Sequence, residues 1–503
     1  MADSSSFKKN TVSGGLWALV RFVMTALLGL PVTIFLVRAL PSFQYGVLVI
    51  GVSAAGIIGT IVGGGFGSAI TLEVTTARGK YREKGFDDII RAIFTGSLVL
   101  MVPALVIVAL AEVVFLVKGV STSEEIVVLI LSINSVLAPL KVGATGFLVG
   151  QDRPRRAELS SIISTGLYLP AVVIAVLFSR LAIVVAICQV STQLIATGLL
   201  LDGLMQYRSQ NYKKNELNEP EDYIAVKAKD LIRSSLKLWA SAVGGATLSR
   251  LDVFLLGTLK SPLSSALYGP VSSTADLSIG IGALPSSYFM PSARRAILSN
   301  QVHEAKRLYQ YVTSLGVVLA SPVFVLLIII PSQTLTFLLG NHYGNLETPA
   351  RILCAGMIVN VILGPNGLVL LAFGKVNIIA LRSVIVLCAN ILLCAFLIPM
   401  FGIVGAAFAT TVPFAIMNII NSMAIYKIAK IHPWDKSGVA VLIGLLISGG
   451  IVDTLEQHLP KVYLVLIGGG LTFAVCSLAM AAVNRKNWKH GKWKELKLFS
   501  PQS

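Results

Sequence analysis

The fold class predicted by this sequence is all-α: a polytopic membrane protein of about fourteen transmembrane helices. Three observations predict it. Of 503 residues, 55% are hydrophobic and 13% charged, against roughly a quarter charged in an ordinary soluble protein. Apolar runs of about 18–25 residues recur along the chain, and a run of that length spans the bilayer as a helix because lipid cannot satisfy free backbone groups. Lys and Arg collect in every second connection between the runs, as the basic excess of short cytoplasmic loops requires. These features exclude a soluble globular enzyme. The formal net charge of +17 would ordinarily raise the question of nucleic acid, but the charges fall between apolar runs. The partner they imply is the anionic membrane surface, and no nucleic acid is expected.

The runs cover 12–40, 45–71, 88–117, 126–149, 157–178, 181–206, 232–258, 266–290, 308–331, 350–373, 377–398, 403–427, 437–453 and 462–483. The first is too long for a signal peptide, extending from Leu16 to Leu40 with no clean small-residue cleavage site, and is read as a mature helix. The connections are too short to hold a folded soluble domain; the longest, Arg208 to Asp230, is polar. With the amino terminus inside, the cytoplasmic segments hold Lys8 and Lys9, the Arg78–Lys84 cluster, Arg153, Arg155 and Arg156, Lys213 to Lys229, Arg294 to Arg307, Lys427 to Lys436 and the tail from Arg485. The other side has little beyond Arg38, Lys118, Arg180, Lys260, Arg351 and Lys461. Both termini are therefore expected on the cytoplasmic face of the inner, or cytoplasmic, cell membrane.

The chain also repeats itself weakly. Leu16-Trp17, Tyr45-Gly46, Thr76-Ala77-Arg78 and Thr95-Gly96-Ser97-Leu98 are echoed by Leu238-Trp239, Tyr268-Gly269, Ser292-Ala293-Arg294 and Thr313-Ser314-Leu315. Gly150-Gln151-Asp152 is matched by Gly374-Lys375. The offset spans six helices, an even number, so both halves share one orientation. The expected domains are a first lobe over 1–208, a cytoplasmic linker over 209–230, a second lobe over 231–430, two further helices over 431–484 and a basic tail over 485–503. A parallel repeat of this kind places a substrate path between two lobes, as in transporters. The basic and aromatic tail is read as an anchor on anionic lipid.

Catalytic and metal signatures are missing. The cysteines (Cys188, Cys354, Cys388, Cys394, Cys476) lie in apolar runs without metal-type spacing, and the histidines stand singly. No metal and no cofactor is expected. Gly63-Gly64-Gly65-Phe66-Gly67-Ser68 superficially resembles a phosphate loop but has no Lys before the Ser. Gly59, Gly63 and Gly67 at spacing four are better read as a stripe for close helix approach than as a hinge. Prolines inside the runs (Pro31, Pro103, Pro139, Pro170, Pro285, Pro322, Pro365, Pro413) mark kinks.

Ionisable residues inside the runs carry the functional signal, because each costs about 3 kcal/mol at mid-membrane and tends to face a cavity or a partner. The cations are Arg21, Lys141, Arg250 and Arg382; the acids are Glu112, Asp252 and Asp276. Arg21 shares a face with Thr25 and Gly29, where it either lines a polar cavity or snorkels to the headgroups. The same two readings stand for Arg382, whereas Lys141 and Arg250 favour the cavity. An interior rich in cations suits an anion, and phosphate is the natural candidate: guanidinium grips it in a fork, lysine as a point charge. Asp252 and Asp276 are candidates for coupling a proton or sodium ion; an ion pair within the bundle is the alternative for Asp276.

Arg250-Leu251-Asp252 with Leu255-Leu256-Gly257, then Ala266-Leu267-Tyr268-Gly269 and Pro291, resembles the start of the second lobe in polysaccharide and O-antigen flippases of the multidrug/oligosaccharidyl-lipid/polysaccharide (MOP) exporter superfamily. Phe373-Gly374-Lys375, Asn390 and Ile398-Pro399-Met400-Phe401-Gly402-Ile403-Val404-Gly405-Ala406-Ala407 with Ala409-Thr410 extend the resemblance over nearly the whole chain. The resemblance implies a V-shaped, MATE-like pair of six-helix lobes plus two extra C-terminal helices. It implies alternating access that flips a polyprenyl-pyrophosphate-linked oligosaccharide from the cytoplasmic to the outer leaflet for glycan biosynthesis, with membrane lipids and other glycan assembly proteins as partners. The alternatives are a cation-coupled multidrug exporter, whose first helix often carries an acid that is absent here, and a lipid II flippase. A membrane polymerase or ligase would need a catalytic external loop, yet Ser332 to Pro349 is short and holds one acid, Glu347. The expected protein is not an enzyme.

Overall fold

The computed structural model describes residues 4–80, 84–118, 122–151, 153–212 and 227–489. Most of the polar connection after Arg208 (213–226) and the end of the basic tail (490–503) lie outside the described residues. Among the described residues the structure is helical without strands: α1 (Ser4–Ala39), α2 (Ser42–Gly63), α3 (Phe66–Lys80), α4 (Lys84–Lys118), α5 (Thr122–Val136), α6 (Ala138–Gly150), α7 (Pro154–Phe178), α8 (Ala182–Tyr212) and α9 (Ala228–Leu259). There follow α10 (Pro262–Gly282), α11 (Phe289–Leu298), α12 (Val302–Ile328), α13 (Pro331–Leu339), α14 (Glu347–Ile362), α15 (Asn366–Ala372), α16 (Val376–Ala429), α17 (Lys436–Glu456) and α18 (Lys461–Lys489). Ten helical stretches among the described residues are long and apolar enough to cross a membrane. One of them, Asn377–Ala429, contains two of the predicted runs, so the expected count of fourteen is not matched span for span. The chain is a multi-pass membrane protein.

Several runs that read as continuous in the sequence are broken in the structure. The second is α2 and α3, separated at Gly64-Gly65, where Gly65 has φ +78°. The fourth is α5 and α6, separated at Leu137. The eighth is α10, a 3-10 turn over Leu284–Tyr288, and α11; the tenth is α14 and α15, separated around Gly364 with φ +64°. The second and eighth runs are repeat partners, as are the fourth and tenth, so the breaks recur at equivalent places in both halves. Pro139, Pro285 and Pro365 stand at these breaks, while Pro31, Pro103, Pro170, Pro322 and Pro413 lie within helices. In α16 the backbone leaves helical geometry at Gly402 (φ 56°, ψ −126°), which divides the eleventh run from the twelfth.

The helices form two compact units. The first comprises Met1–Leu267 with Ser383–Ile391. Its core joins Phe66, Ile70 and Val74 of α3 to Ile89 and Ile93 of α4, Phe147 and Leu148 of α6, Leu200 and Leu204 of α8 and Leu231 of α9. A second cluster joins Val32 and Leu36 of α1 to Leu48 of α2, Leu131 of α5, Val172 and Val176 of α7 and Val185 of α8. Helix α9, which the repeat assigns to the second lobe, packs on α2, α3 and α4 in this unit. The Trp239 indole fixes it there by donating to the Ile61 carbonyl at 2.7 Å.

The other unit comprises Tyr268–Arg382 with Leu392–Ser503. Its core gathers Phe289 of α11, Leu308 and Tyr309 of α12, Val369 and Leu370 of α15 and Ile425 of α16. A smaller cluster of Val325, Ile330, Val452, Leu464 and Val465 seats the last two helices on α12. Since lipid chains are as apolar as leucine, packing rather than water exclusion holds these helices together. Outward faces accordingly stay apolar: on α4, Leu98, Val102, Leu105 and Leu110 are exposed while Ile89, Ile93 and Ala104 are buried.

Candidate anion-binding cavity

The broken helices of the first unit build its cavity. Gly65 permits the break because no other residue fits: a Cβ there would meet the Ser235 carbonyl oxygen at 2.4 Å, in a backbone conformation L residues rarely adopt. Beyond it, α3 and α6 meet backbone to backbone. A Cβ on Gly67 would lie 2.8 Å from the Val142 carbonyl oxygen, and one on Gly146 would lie 2.3 Å from that of Gly67. Thr71 Oγ1 bridges the pair, donating toward the carbonyls of Gly67 at 2.9 Å and Gly146 at 3.0 Å. A Cβ on Gly59 of α2 would lie 3.3 Å from the Ala138 Cβ and 3.5 Å from the Ser135 Cα, a looser approach. The glycine stripe thus does pack helices, and the run that carries it also breaks.

Beside this contact lies a cavity of about 580 Å³. Glycines of α2 and the break, Thr60 and Ser68 form one wall; Asn134 and Lys141 come from α5 and α6, Gln189, Gln193 and Thr197 from α8, and Arg250 from α9. Among the described residues two cations line it, and no carboxylate does. The Lys141 ammonium donates to the Gln193 side-chain carbonyl. A neutral amide orients a lysine without cancelling its charge. Arg250 is exposed beside Gly56 of α2. Among the described residues neither cation is in an ion pair. Two unneutralised charges without a competing acid make this cavity a candidate site for an anion.

Of the four cations expected to act together, the structure brings Lys141 and Arg250 to this cavity. Arg21 is elsewhere, its Nε 2.5 Å from Glu158 Oε2 of α7. Arg382, in the second unit, donates to Asn421 Oδ1 at 3.0 Å. Asn421 is joined through Asn366 to Asn418, whose Oδ1 also accepts from Asn360 at 3.1 Å. That chain ends at a pocket of about 120 Å³ around the Gly364 break, lined by Thr313, Asn360 and otherwise mainly small or apolar residues, with no charged group among the described residues. Asp252 is fully buried on α9 and accepts from its neighbour's backbone, Val253 N, at 2.7 Å; Asp276 is half-buried on α10. Neither lines the cationic cavity. Among the described residues no group of three or more His, Cys, Asp or Glu is placed to hold a metal ion.

Sequence reasoning missed Asn134, the α8 amides and Glu158. The spacing Gln189, Gln193, Thr197 within an apolar run was the available signal, since residues four apart share a helix face. Glu158 sits in the first turns of its run, where an acid reads as interfacial.

Solved membrane transporters share this helical fold. An inward-facing multidrug resistance MATE family transporter of the MOP superfamily superposes with TM-score 0.61 at 14% identity, covering 81% of this chain and 96% of that one. The lipid II flippase MurJ, in an inward closed conformation, superposes with TM-score 0.55 at 16% identity over 96% of this chain and 99% of its own. A MOP superfamily transporter from Pyrococcus furiosus, described as having a binding pocket of reverse polarity, gives 0.56 at 14% identity over 83% and 94%. The fold is that of this superfamily. Residues 11–281, more than half of the chain, match the polysaccharide biosynthesis protein family, and the chain belongs to that family. No curated protein matches the sequence.

Proposed function

We propose that the protein flips a polyprenyl-pyrophosphate-linked oligosaccharide from the cytoplasmic to the outer leaflet of the inner membrane by alternating access, as a carrier and not as a hydrolase or transferase. The observation that carries this reading is the cavity that sets Lys141 and Arg250 opposite no carboxylate. A pyrophosphate supplies the negative charge they lack, and family membership supplies the glycan. Lipid tails stay in the bilayer while the headgroup crosses. A cationic drug would find like charges in this cavity, which disfavours the multidrug alternative. Asp252 and Asp276 remain the proposed coupling residues for H+ or Na+; both termini are cytoplasmic in this reading, and glycan assembly proteins are its partners.

The test is headgroup translocation in proteoliposomes, measured per folded molecule. Each charge-assisted hydrogen bond to phosphate is worth about 1.5–3 kcal/mol, so Arg250→Ala should slow transport roughly 10- to 100-fold, at about 1.4 kcal/mol per decade. Arg250→Lys should recover only part, because a point charge cannot reproduce the fork. Full activity in both Arg250→Ala and Lys141→Ala would sink the anion site.

A further inference from the structure

We infer that the α8 stripe, with Asn134 facing the same cavity, is a sugar-recognition subsite that makes transport depend on the glycan and not on the pyrophosphate alone. The inference rests on the flippase reading above and deepens it. Gln189, Gln193 and Thr197 are spaced four apart and line the cavity, and Asn134 lines it from α5. Among the described residues the side chains of Gln189 and Asn134 have no protein partner, and Gln193 engages Lys141 through its carbonyl oxygen, leaving its amide N–H groups uncommitted. The amides of Gln189 and Asn134 each present both a donor and an acceptor, and that of Gln193 presents donors.

A pyrophosphate can use only the donor half of that arrangement. Its oxygens only accept, so the amide carbonyls of Gln189 and Asn134 would be left without a donor. A sugar hydroxyl both donates and accepts, and it pairs with either end of an amide. Among the described residues no aromatic side chain lines the cavity, so recognition falls to hydrogen bonds. At about 580 Å³ the cavity falls within the roughly 300–1,000 Å³ of small-ligand sites. It therefore takes the headgroup with the sugar nearest to it, and leaves the remainder of a longer glycan outside. Polar groups built for hydroxyls penalise a ligand that lacks them, because they are then left unpaired.

The experiment compares two fluorescent probes with one polyprenyl tail, a diphosphate bearing a single N-acetylhexosamine and the bare diphosphate, in liposomes holding the full-length protein. The readout is the ratio of their translocation rates, scored by an impermeant quencher and normalised to folded protein. Wild type should favour the sugar-bearing probe at least tenfold. Gln189→Met, close in size and leaving Lys141's partner Gln193 in place, and Asn134→Leu, on a different helix, should each bring the ratio toward one, so that a folding failure in one leaves the other decisive. If wild type carries both probes and neither variant moves the ratio, the subsite is overturned while the flippase stands. A wild type that carries both equally also overturns the subsite. If wild type carries neither probe, both readings fall.

Discussion

Arg21 and Lys141 are long cations set in membrane helices, and their neighbours give them different work. Arg21 meets Glu158, so the pair is neutral as a unit; Lys141 meets an amide, which does not offset its charge. The sequence offered Arg21 two readings, cavity or snorkel, and the structure supplies a third. Its partner lies far along the chain, and helical periodicity says which residues share a face of one helix but not which helix stands opposite. Removing Arg21 leaves a largely buried carboxylate unpaired. Arg21→Ala should therefore lower the yield of folded protein, discounted by the half-exposed arginine to about 1 kcal/mol. Adding Glu158→Gln should restore it. Lys141→Ala should instead leave folded yield near wild type and lower transport, and gel filtration of the detergent extract beside the transport assay separates the two patterns.

At the scale of the element, the breaks decide the architecture, and they were the least legible part of the sequence. Hydropathy sees an unbroken apolar run across Gly64-Gly65 and across Leu137, because residues flanking a break still face lipid or core. The glycine stripe was legible since packing depends on residue size and spacing, which the sequence displays. Gly65→Ala should cost about 1–3 kcal/mol from its left-handed backbone alone, and more from the Ser235 carbonyl it would strike. Gly29→Ala, in a helix with nothing within 4 Å of the added carbon, should be neutral or slightly stabilising. Thermal unfolding in detergent should show a lower midpoint for the first alone. The asparagine chain below Arg382 makes a parallel case. Asn418→Leu strands the amide donor of Asn360 and leaves that of Asn366 only its 3.3 Å bond to the backbone carbonyl of residue 418; at about 1–3 kcal/mol for a buried unsatisfied group it should lower the midpoint more than Asn360→Leu, which removes a single bond.

For the whole molecule, the class was legible throughout: long apolar runs, alternating loop charge and a weak repeat gave an all-helical membrane protein, and every predicted run is helical where it is described except at the breaks within it. The repeat had a structural counterpart that sequence motifs could not reveal, namely breaks at equivalent places in both halves. Orientation is testable independently of any ligand. In a background without exposed Cys388, a cysteine placed at Ser209 should resist an impermeant thiol reagent added to intact cells and react after permeabilisation. Labelling of intact cells would reverse the assignment of the termini.

The reversal at Gly402 bears on how this chain is made. A Cβ on Gly405 would fall 2.1 Å from the Leu397 carbonyl oxygen, so the backbone doubles back within a few residues, and no charged residue occurs between Arg382 and Lys427. The ribosome therefore delivers two spans joined by no hydrophilic segment that must be driven across. Such a stretch partitions into the bilayer as a preassembled hairpin, with the basic residues at its two open ends left on the side from which it entered. Biogenesis at this point needs no translocation step, and a hydrophilic insert at Gly402 would impose one.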